Sequence, residues 1–359
     1  MPPMRLGIIG FEASGKTTIF NALTRGKLPT GALEGSGRME VHSAAVDVPE
    51  PRLTPLTELY QPKKTTYAKV TFADIGGLAV GAGQEGLPGA LLNTLSQVDG
   101  LLLVVRAFES EAVPHPLEEV DPQRDLKALT EEFLLHDMVT VERRLERLQE
   151  ERARGGRDRA TVEREIDLFQ RAQAVLEAEQ PLRSIEFSDA ERGALKGFGL
   201  LTLTPALVLV NLGERQEMPQ MASAAAGMPL MGLQGELEME IAQLEPEEEG
   251  PFLEEYGIPE PGRERVIRAC YEHLGLISFF TVGEDEVRAW TLPAGSTCLD
   301  AAGTIHTDLA RGFIRAEVIP WDVLLELGGF SEARKITQEN DELCRIINAS
   351  IKTASNRKN

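Results

Sequence analysis

The chain has 359 residues and a formal charge of -20 at pH 7. Its length predicts two or three domains, and its acidic balance argues against non-specific binding to DNA, to other nucleic acids or to an anionic membrane. Three widely spaced cysteines, no apolar run of about 18 residues and no signal-like N-terminus predict a cytoplasmic protein without a membrane span.

The first motif is the run GFEASGKT at 10–17, which matches GxxxxGK[ST] between an apolar strand and a helix. In this P-loop pattern, glycines turn backbone N–H groups toward nucleotide phosphates. Lys16 would add a positive charge at the β/γ oxygens, and the Thr17 hydroxyl would ligate Mg²⁺. The residues expected to bind the nucleotide here are Gly10, Glu12, Ala13, Ser14, Gly15, Lys16, Thr17 and Thr18.

The second motif, DxxG, ends a strand expected within 67–77. Its Asp74 would meet Mg²⁺ through water, and the Gly77 N–H would sense a γ-phosphate. The next residue, Leu78, occupies the position where Ras-like enzymes carry the glutamine that orients the attacking water. A leucine cannot hydrogen-bond water, so hydrolysis would require another group.

Further apolar strands are expected at 98–108, 205–211 and 228–233, with helical patterns between them. Such alternation predicts an α/β fold with a mostly parallel sheet covered on both faces. The second of these strands ends in NLGE, where guanine-nucleotide switches carry NKxD. Glu214 is one methylene longer than aspartate, and Leu212 lacks the lysine stem that covers the base. These residues predict a loss of guanine selectivity but leave open whether adenine selectivity was gained.

Apolar residues at near-heptad spacing surround Gly155-Gly156 between 130 and 180, which predicts an antiparallel helical hairpin. It is either a solvated surface feature or a docking arm for a partner. From 276 onward, short β-rich segments with Gly/Pro turns predict a small α+β domain. Its arginines stand among aromatic residues, which suits either RNA contact or simple packing: Arg288, Arg311 and Arg315 beside Trp290 and Phe313.

Together these features resemble the YchF family, the Obg-like ATPases. The resemblance is carried by GKTTIFNALT, VPEPRL at 48–53, DIGGLAVGA at 74–82, LLTLTPALVLVNLGE and the long run beginning FFTVGEDEVRAW. It implies a Ras-like P-loop NTPase domain in two parts (1–130 and 201–275), an inserted coiled coil (131–200) and a TGS domain of β-grasp fold (276–359). It also implies a cytoplasmic protein that associates with the ribosome or RNA through the coiled coil and the TGS domain.

The resemblance further implies roles for individual residues. Asn211, Leu212 and Glu214 would read adenine, and His115, on a loop after the third strand, would assist Lys16 in hydrolysis; otherwise His115 is an ordinary loop residue. One departure is Arg38, which stands where the family usually carries a Mg²⁺-ligating threonine. We therefore expect slow, Mg²⁺-dependent ATP hydrolysis. The alternatives are GTP as the ligand, or a ribosome- or RNA-binding scaffold with a structural or eroded nucleotide site.

Overall fold

The computed structural model describes residues 4–30, 41–78, 87–221, 227–330 and 347–348. The strands are β1 Met4–Ile9, β2 His42–Asp47, β3 Lys64–Thr66, β4 Lys69–Asp74, β5 Gly100–Arg106, β6 Ala206–Asn211, β7 Leu230–Leu233, β8 Leu276–Thr281, β9 Glu286–Pro293, β10 Glu317–Val318 and β11 Ile347–Asn348. The helices are α1 Lys16–Thr24, α2 Leu53–Tyr60, α3 Gly89–Leu95, α4 Pro122–Arg154, α5 Arg159–Glu177, α6 Asp189–Lys196, α7 Gly235–Gln243, α8 Pro246–Glu255, α9 Gly262–His273, α10 Cys298–Ile305, α11 Thr307–Arg311 and α12 Trp321–Glu326. Short 3₁₀ turns occur at Leu182–Ser184 and Leu201–Leu203.

The chain divides into two compact units. The first contains the described residues of 4–45 and 71–266, and the second contains Val46–Val70 and the described residues from Ile267 onward. A six-stranded sheet runs in the order β2-β4-β1-β5-β6-β7, and β1 with β5, β5 with β6, and β6 with β7 pair in parallel. The predicted α/β fold with a mostly parallel sheet is therefore confirmed.

The two central strands of this sheet are buried along their whole length. Every residue of β5 and β6 is buried, as the continuous apolar runs in the sequence predict for strands covered on both faces. The first turns of α4 pack on one face through Leu126, Leu129 and Phe133. Because parallel strands end at a common edge, this topology carries the loops after β1, β5 and β6 to one side of the sheet.

Helices α4 and α5 form the predicted hairpin around Gly155 and Gly156, whose φ angles of 71° and 107° lie in the left-handed region. The two helices pack through an apolar cluster of their own, which includes Val141, Leu148 and Phe169. Helix α4 begins eight residues before the start of the predicted hairpin. The reason is a local capping signal, since Asp121 accepts the N–H groups of the first turn and a proline follows it.

The second unit contains a three-stranded sheet in the order β3-β9-β8. Strand β8 pairs antiparallel with β9, as the β-rich pattern after 276 predicts. The third strand comes from Lys64–Thr66 and pairs parallel with β9, which the sequence pattern did not reveal. Over the described residues, no helix combines the length and apolar character needed to cross a bilayer. The four-part domain division stays a prediction.

Candidate functional site

The segment Gly10–Thr17 forms a tight loop between β1 and α1. Ala13 and Gly15 adopt left-handed φ angles of 59° and 86°, and Gly15 caps the helix. Alternation of left- and right-handed residues turns successive N–H groups into one concavity, and the helix dipole adds positive potential. Gly10 is required for space, because a Cβ there would lie 2.2 Å from the Val104 carbonyl oxygen. The loop therefore has the backbone of an anion-binding cradle.

The carbonyl groups of the loop accept hydrogen bonds from Lys16 within the segment and from donors in three other parts of the chain. Gly10 O accepts Leu78 N–H (3.1 Å), Phe11 O accepts Lys16 Nζ (2.8 Å), Ala13 O accepts Arg106 Nη1 (3.3 Å), and Ser14 O accepts Asn211 Nδ2 (3.1 Å). Anchoring the carbonyls fixes the peptide planes, so the loop keeps its cradle shape without a ligand to impose it.

Lys16 lies at the centre of the loop. Its side chain is buried, and burial lowers the pKa of the ammonium group to about 8, against the opposing charges of Asp74 and Glu12. A Cβ placed on Gly77 would lie 3.1 Å from Lys16 Nζ, so the DxxG glycine closely approaches this ammonium. The sequence-predicted phosphate contacts of the P-loop and of DxxG are thus next to each other.

Thr17 and Asp74 form the candidate metal site. The Thr17 hydroxyl donates to Asp74 Oδ2 at 2.7 Å. Burial raises the pKa of Asp74, while this hydrogen bond and the charge of Lys16 act in the opposite direction. A hydroxyl and a carboxylate side by side are hard oxygen donors of the kind that holds Mg²⁺ together with nucleotide phosphates. Thr18, which follows in the first turn of α1, is half-buried.

Leu78 joins the DxxG segment to the P-loop through its backbone. Its N–H donates to Gly10 O, its carbonyl accepts Glu12 N–H at 3.2 Å, and Phe11 and Leu78 form a parallel bridge. Its side chain is 2% exposed and belongs to the sheet core. Leu78 therefore has a structural role at this position, where it provides no side chain that could orient a water molecule.

The predicted base-reading loop follows β6. Asn211 is buried, and besides its bond to Ser14 it accepts Gly235 N–H on Oδ1 at 3.1 Å, so it connects the P-loop to the start of α7. Leu212 is half-buried and donates its N–H to Leu233 O. The side chain of Glu214 is 76% exposed, with Arg215 at 3.5 Å. Asn211 thus fixes the loop, while Glu214 is accessible to a ligand.

Sequence reasoning missed three residues that lie next to this loop. Phe108 lies between the P-loop and the base-reading loop. A Cβ placed on Gly15 would be 3.7 Å from Phe108, and a Cβ placed on Gly213 would be 3.5 Å from it. The guanidinium of Arg106 stacks over its ring at 4.3 Å. Gln216 accepts Gly213 N–H on Oε1 and donates from Nε2 to Ala107 O, both at 2.8 Å. For Arg106 and Phe108 the available signal was RAF at the end of a buried parallel strand, where ligand-binding residues concentrate.

His115 is buried and bonded through both ring nitrogens. Leu117 N–H donates to Nδ1 at 3.1 Å, so Nε2 carries the proton and donates to Asp125 Oδ2 at 2.8 Å. Arg106 holds the same loop by donating to Val113 O at 2.7 Å. A role for His115 in hydrolysis therefore stays a prediction that requires release of this loop. Arg38 and the glycine-rich run after Leu78 lie outside the described residues.

Comparisons with known proteins agree over nearly the whole chain. A family model described as 50S ribosome-binding GTPase matches residues 5–144, and the C-terminal YchF GTPase model, described as a protein of unknown function (DUF933), matches 276–342. The chain is 37% identical to the ribosome-binding ATPase YchF of Bacillus subtilis (strain 168), with 94% of each chain covered. It is 33% identical to Obg-like ATPase 1 of Oryza sativa subsp. indica, with 92% of this chain and 86% of the relative covered. The structure of the Schizosaccharomyces pombe YchF GTPase superposes with a TM-score of 0.79 at 29% identity, covering 93% of this chain and 92% of that one.

Proposed function

Because this chain belongs to the YchF family, we propose that it binds ATP in preference to GTP, hydrolyses it slowly and associates with the ribosome in the cytoplasm. The observation that carries the proposal is the anchored P-loop, in which Lys16 and the Thr17–Asp74 pair converge beside Gly77. These groups match the needs of a triphosphate and its metal, and relatives of similar length have the names of ribosome-binding ATPases.

We assign each part of the nucleotide to residues of this site. The phosphates would contact backbone and side-chain donors of the P-loop and of DxxG: Gly10, Glu12, Ala13, Ser14, Gly15, Lys16, Thr17, Thr18 and Gly77. Thr17 and Asp74 would hold Mg²⁺, which neutralises charge on the β- and γ-phosphates when bound. The base would lie at Asn211, Leu212 and Glu214, with Phe108 beside it.

Hydrolysis joins a water oxygen to the γ-phosphorus and breaks the bond to the bridging oxygen, with ADP as the leaving group. Lys16 would stabilise the negative charge on the transferred group, which is the main contribution a protein makes to this reaction. Leu78 contributes no side-chain donor, because its side chain is a hydrocarbon, and that side chain lies in the core. We assign the positioning of water to His115 after its loop has opened, and a requirement for loop release would make turnover slow.

The base preference is tested by titrating the full chain with ATP and GTP in the presence of Mg²⁺. We expect wild-type protein to bind ATP at least about tenfold more tightly than GTP, a difference of about 1.4 kcal/mol. In the Glu214→Asp variant the shorter carboxylate suits the N1–H and N2–H fork of guanine, so the preference for ATP should narrow. Glu217→Asp, three residues further along the chain, is the matched control.

A preference for GTP in wild-type protein would agree with the name of the fission-yeast relative, a YchF GTPase. Binding of neither nucleotide would leave only the scaffold interpretation. An unchanged ATP/GTP ratio in Glu214→Asp would remove Glu214 from the base site.

Ribosome association is assigned in part to the sheet of the second unit. Trp290 stacks with Phe279 at a centroid distance of 6.3 Å, and Arg288 lies over the Trp290 ring at 4.0 Å. A cation and stacked aromatic rings on one strand pair form a platform suited to unpaired RNA bases.

We expect Trp290→Ala to weaken cosedimentation with ribosomes by about fivefold or more, since stacking of one base contributes roughly 1–3 kcal/mol. The matched control is Trp321→Ala, which changes the other tryptophan of the chain. Equal cosedimentation of the two variants and the wild type would refute an RNA contact at Trp290. Thermal melts of both variants check that the second unit remains folded.

A further inference from the structure

Glu12 projects from the P-loop over the DxxG glycine. A Cβ placed on Gly77 would lie 2.9 Å from Glu12 Cγ and 3.1 Å from Lys16 Nζ. The glutamate stem, the lysine ammonium group and the Gly77 backbone therefore surround one small space. The GxxxxGK[ST] pattern does not require an acid at this position, since 12 is one of its variable places.

This space is where the third phosphate of a nucleotide is expected. The P-loop lysine contacts β- and γ-oxygens, and the glycine N–H of DxxG senses only the γ-phosphate. The β-phosphate lies deeper, within the N–H cradle at the helix N-terminus. A diphosphate thus fills the cradle without approaching Gly77, whereas a triphosphate must share the neighbourhood of Glu12.

The Glu12 side chain and the Lys16 ammonium group lie at the same small space above Gly77, so the charge of Glu12 acts on anything bound to that ammonium. A γ-phosphate bound at this ammonium group would experience repulsion from the Glu12 carboxylate. The buried surroundings of Lys16 strengthen this repulsion, and the exposure of Glu12 to solvent screens part of it.

We propose that Glu12 determines phosphate-chain specificity, because its negative charge weakens binding of nucleoside triphosphates relative to diphosphates. The proposal rests on the proposed nucleotide site. It assigns control of ATP occupancy to a residue inside the P-loop itself.

The test is calorimetric titration of the full chain with ATP and with ADP under identical Mg²⁺ conditions. Glu12→Gln removes the charge and keeps the size of the side chain. We expect this variant to lower the ratio of the Kd for ATP to the Kd for ADP by about tenfold, equivalent to about 1.4 kcal/mol. Most of the change should come from tighter binding of ATP. The control is Glu146→Gln, which removes one carboxylate charge from the exposed surface of α4, far from Glu12 in the sequence. It should leave the ratio of the two Kd values unchanged.

A ratio that stays constant in Glu12→Gln, or moves toward ADP, would overturn the inference while leaving nucleotide binding established. The Glu12→Ala variant separates charge from bulk. If it alone shifts the ratio, the stem excludes the phosphate by size, and the electrostatic explanation is wrong. Failure of wild type and every variant to bind either nucleotide would overturn the proposed function and this inference together.

Discussion

The Lys16→Ala variant is expected to lose ATP turnover by at least about a hundredfold, the effect of removing one preorganised donor from a charge-stabilising site. The lysine places an ammonium group next to Gly77, in a loop with three carbonyls anchored by Leu78, Arg106 and Asn211. Among the residues that the structure describes, Arg106 also contacts the loop, but its guanidinium is directed at the Ala13 carbonyl and does not replace the ammonium group. The measurement is steady-state phosphate release with Mg²⁺ at saturating ATP.

The ammonium group also has a structural bond that the variant removes, from Nζ to Phe11 O at 2.8 Å. Loss of one such bond is expected to cost about 1 kcal/mol of unfolding free energy, so the folded state should persist. Lys127→Ala is the control, since its side chain is 74% exposed on α4. Turnover at the wild-type rate in Lys16→Ala would show that any hydrolysis arises outside this site, which leaves the scaffold interpretation.

The second large effect is expected at Asp137, a fully buried residue of α4. Its carboxylate accepts Leu201 N–H and Thr202 N–H, each at 2.8 Å, and the Thr202 hydroxyl at 2.6 Å. These bonds attach the helical hairpin to the turn that precedes β6. Asp137→Ala leaves the donors buried without an acceptor, and we expect it to lower the unfolding free energy by roughly 3 kcal/mol or more.

The same carboxylate predicts a pH dependence of stability. Burial raises the pKa of Asp137 from 3.8 to about 6, and the three hydrogen bonds only partly oppose the shift. Between these pH values the folded protein retains the proton that the unfolded chain has released. The stabilising contribution of protonated Asp137 is therefore complete below about pH 4 and is lost by about pH 6. The unfolding free energy changes by an amount on the order of 3 kcal/mol.

The measurement compares unfolding free energies from urea titrations at pH 4 and pH 6 in wild type and Asp137→Asn. Other carboxylates titrate in this range, so only the difference between the two proteins is diagnostic. We expect the wild type to lose unfolding free energy relative to Asp137→Asn between pH 4 and pH 6, because asparagine cannot titrate. Asp167→Asn, an exposed residue of α5, is the matched control. A constant difference between wild type and Asp137→Asn would exclude Asp137 as the titrating group.

Much of the fold was readable from local patterns. The continuous apolar runs of β5 and β6 predict strands covered on both faces, and both strands are buried at every position. The heptad-like spacing around Gly155 predicts the hairpin of α4 and α5. Strand β3 was missed because its three residues carry no periodic signal and pair only with a distant strand.

The P-loop and DxxG motifs were also readable, because each needs particular residue types at fixed spacing. Lys16, Thr17, Asp74 and Gly77 do come together, as the motifs predict. Sequence spacing could not place the anchors of the loop. Asn211 bonds to Ser14 across 197 residues, and Arg106 bonds to Ala13 across 93. The sequence also gave no sign that both ring nitrogens of His115 form hydrogen bonds.

By itself, the sequence determined the α/β class, the phosphate-binding motif, the helical hairpin and the family resemblance, since these depend on residue types at short spacing. The tertiary structure alone decided which side chains hold the P-loop open, where Phe108 and Gln216 lie, how Asp137 joins the hairpin to β6, and that Glu12 lies beside Lys16 and Gly77. These are contacts between residues far apart in the chain. They form only when the sheet brings the ends of β1, β4, β5 and β6 to one edge.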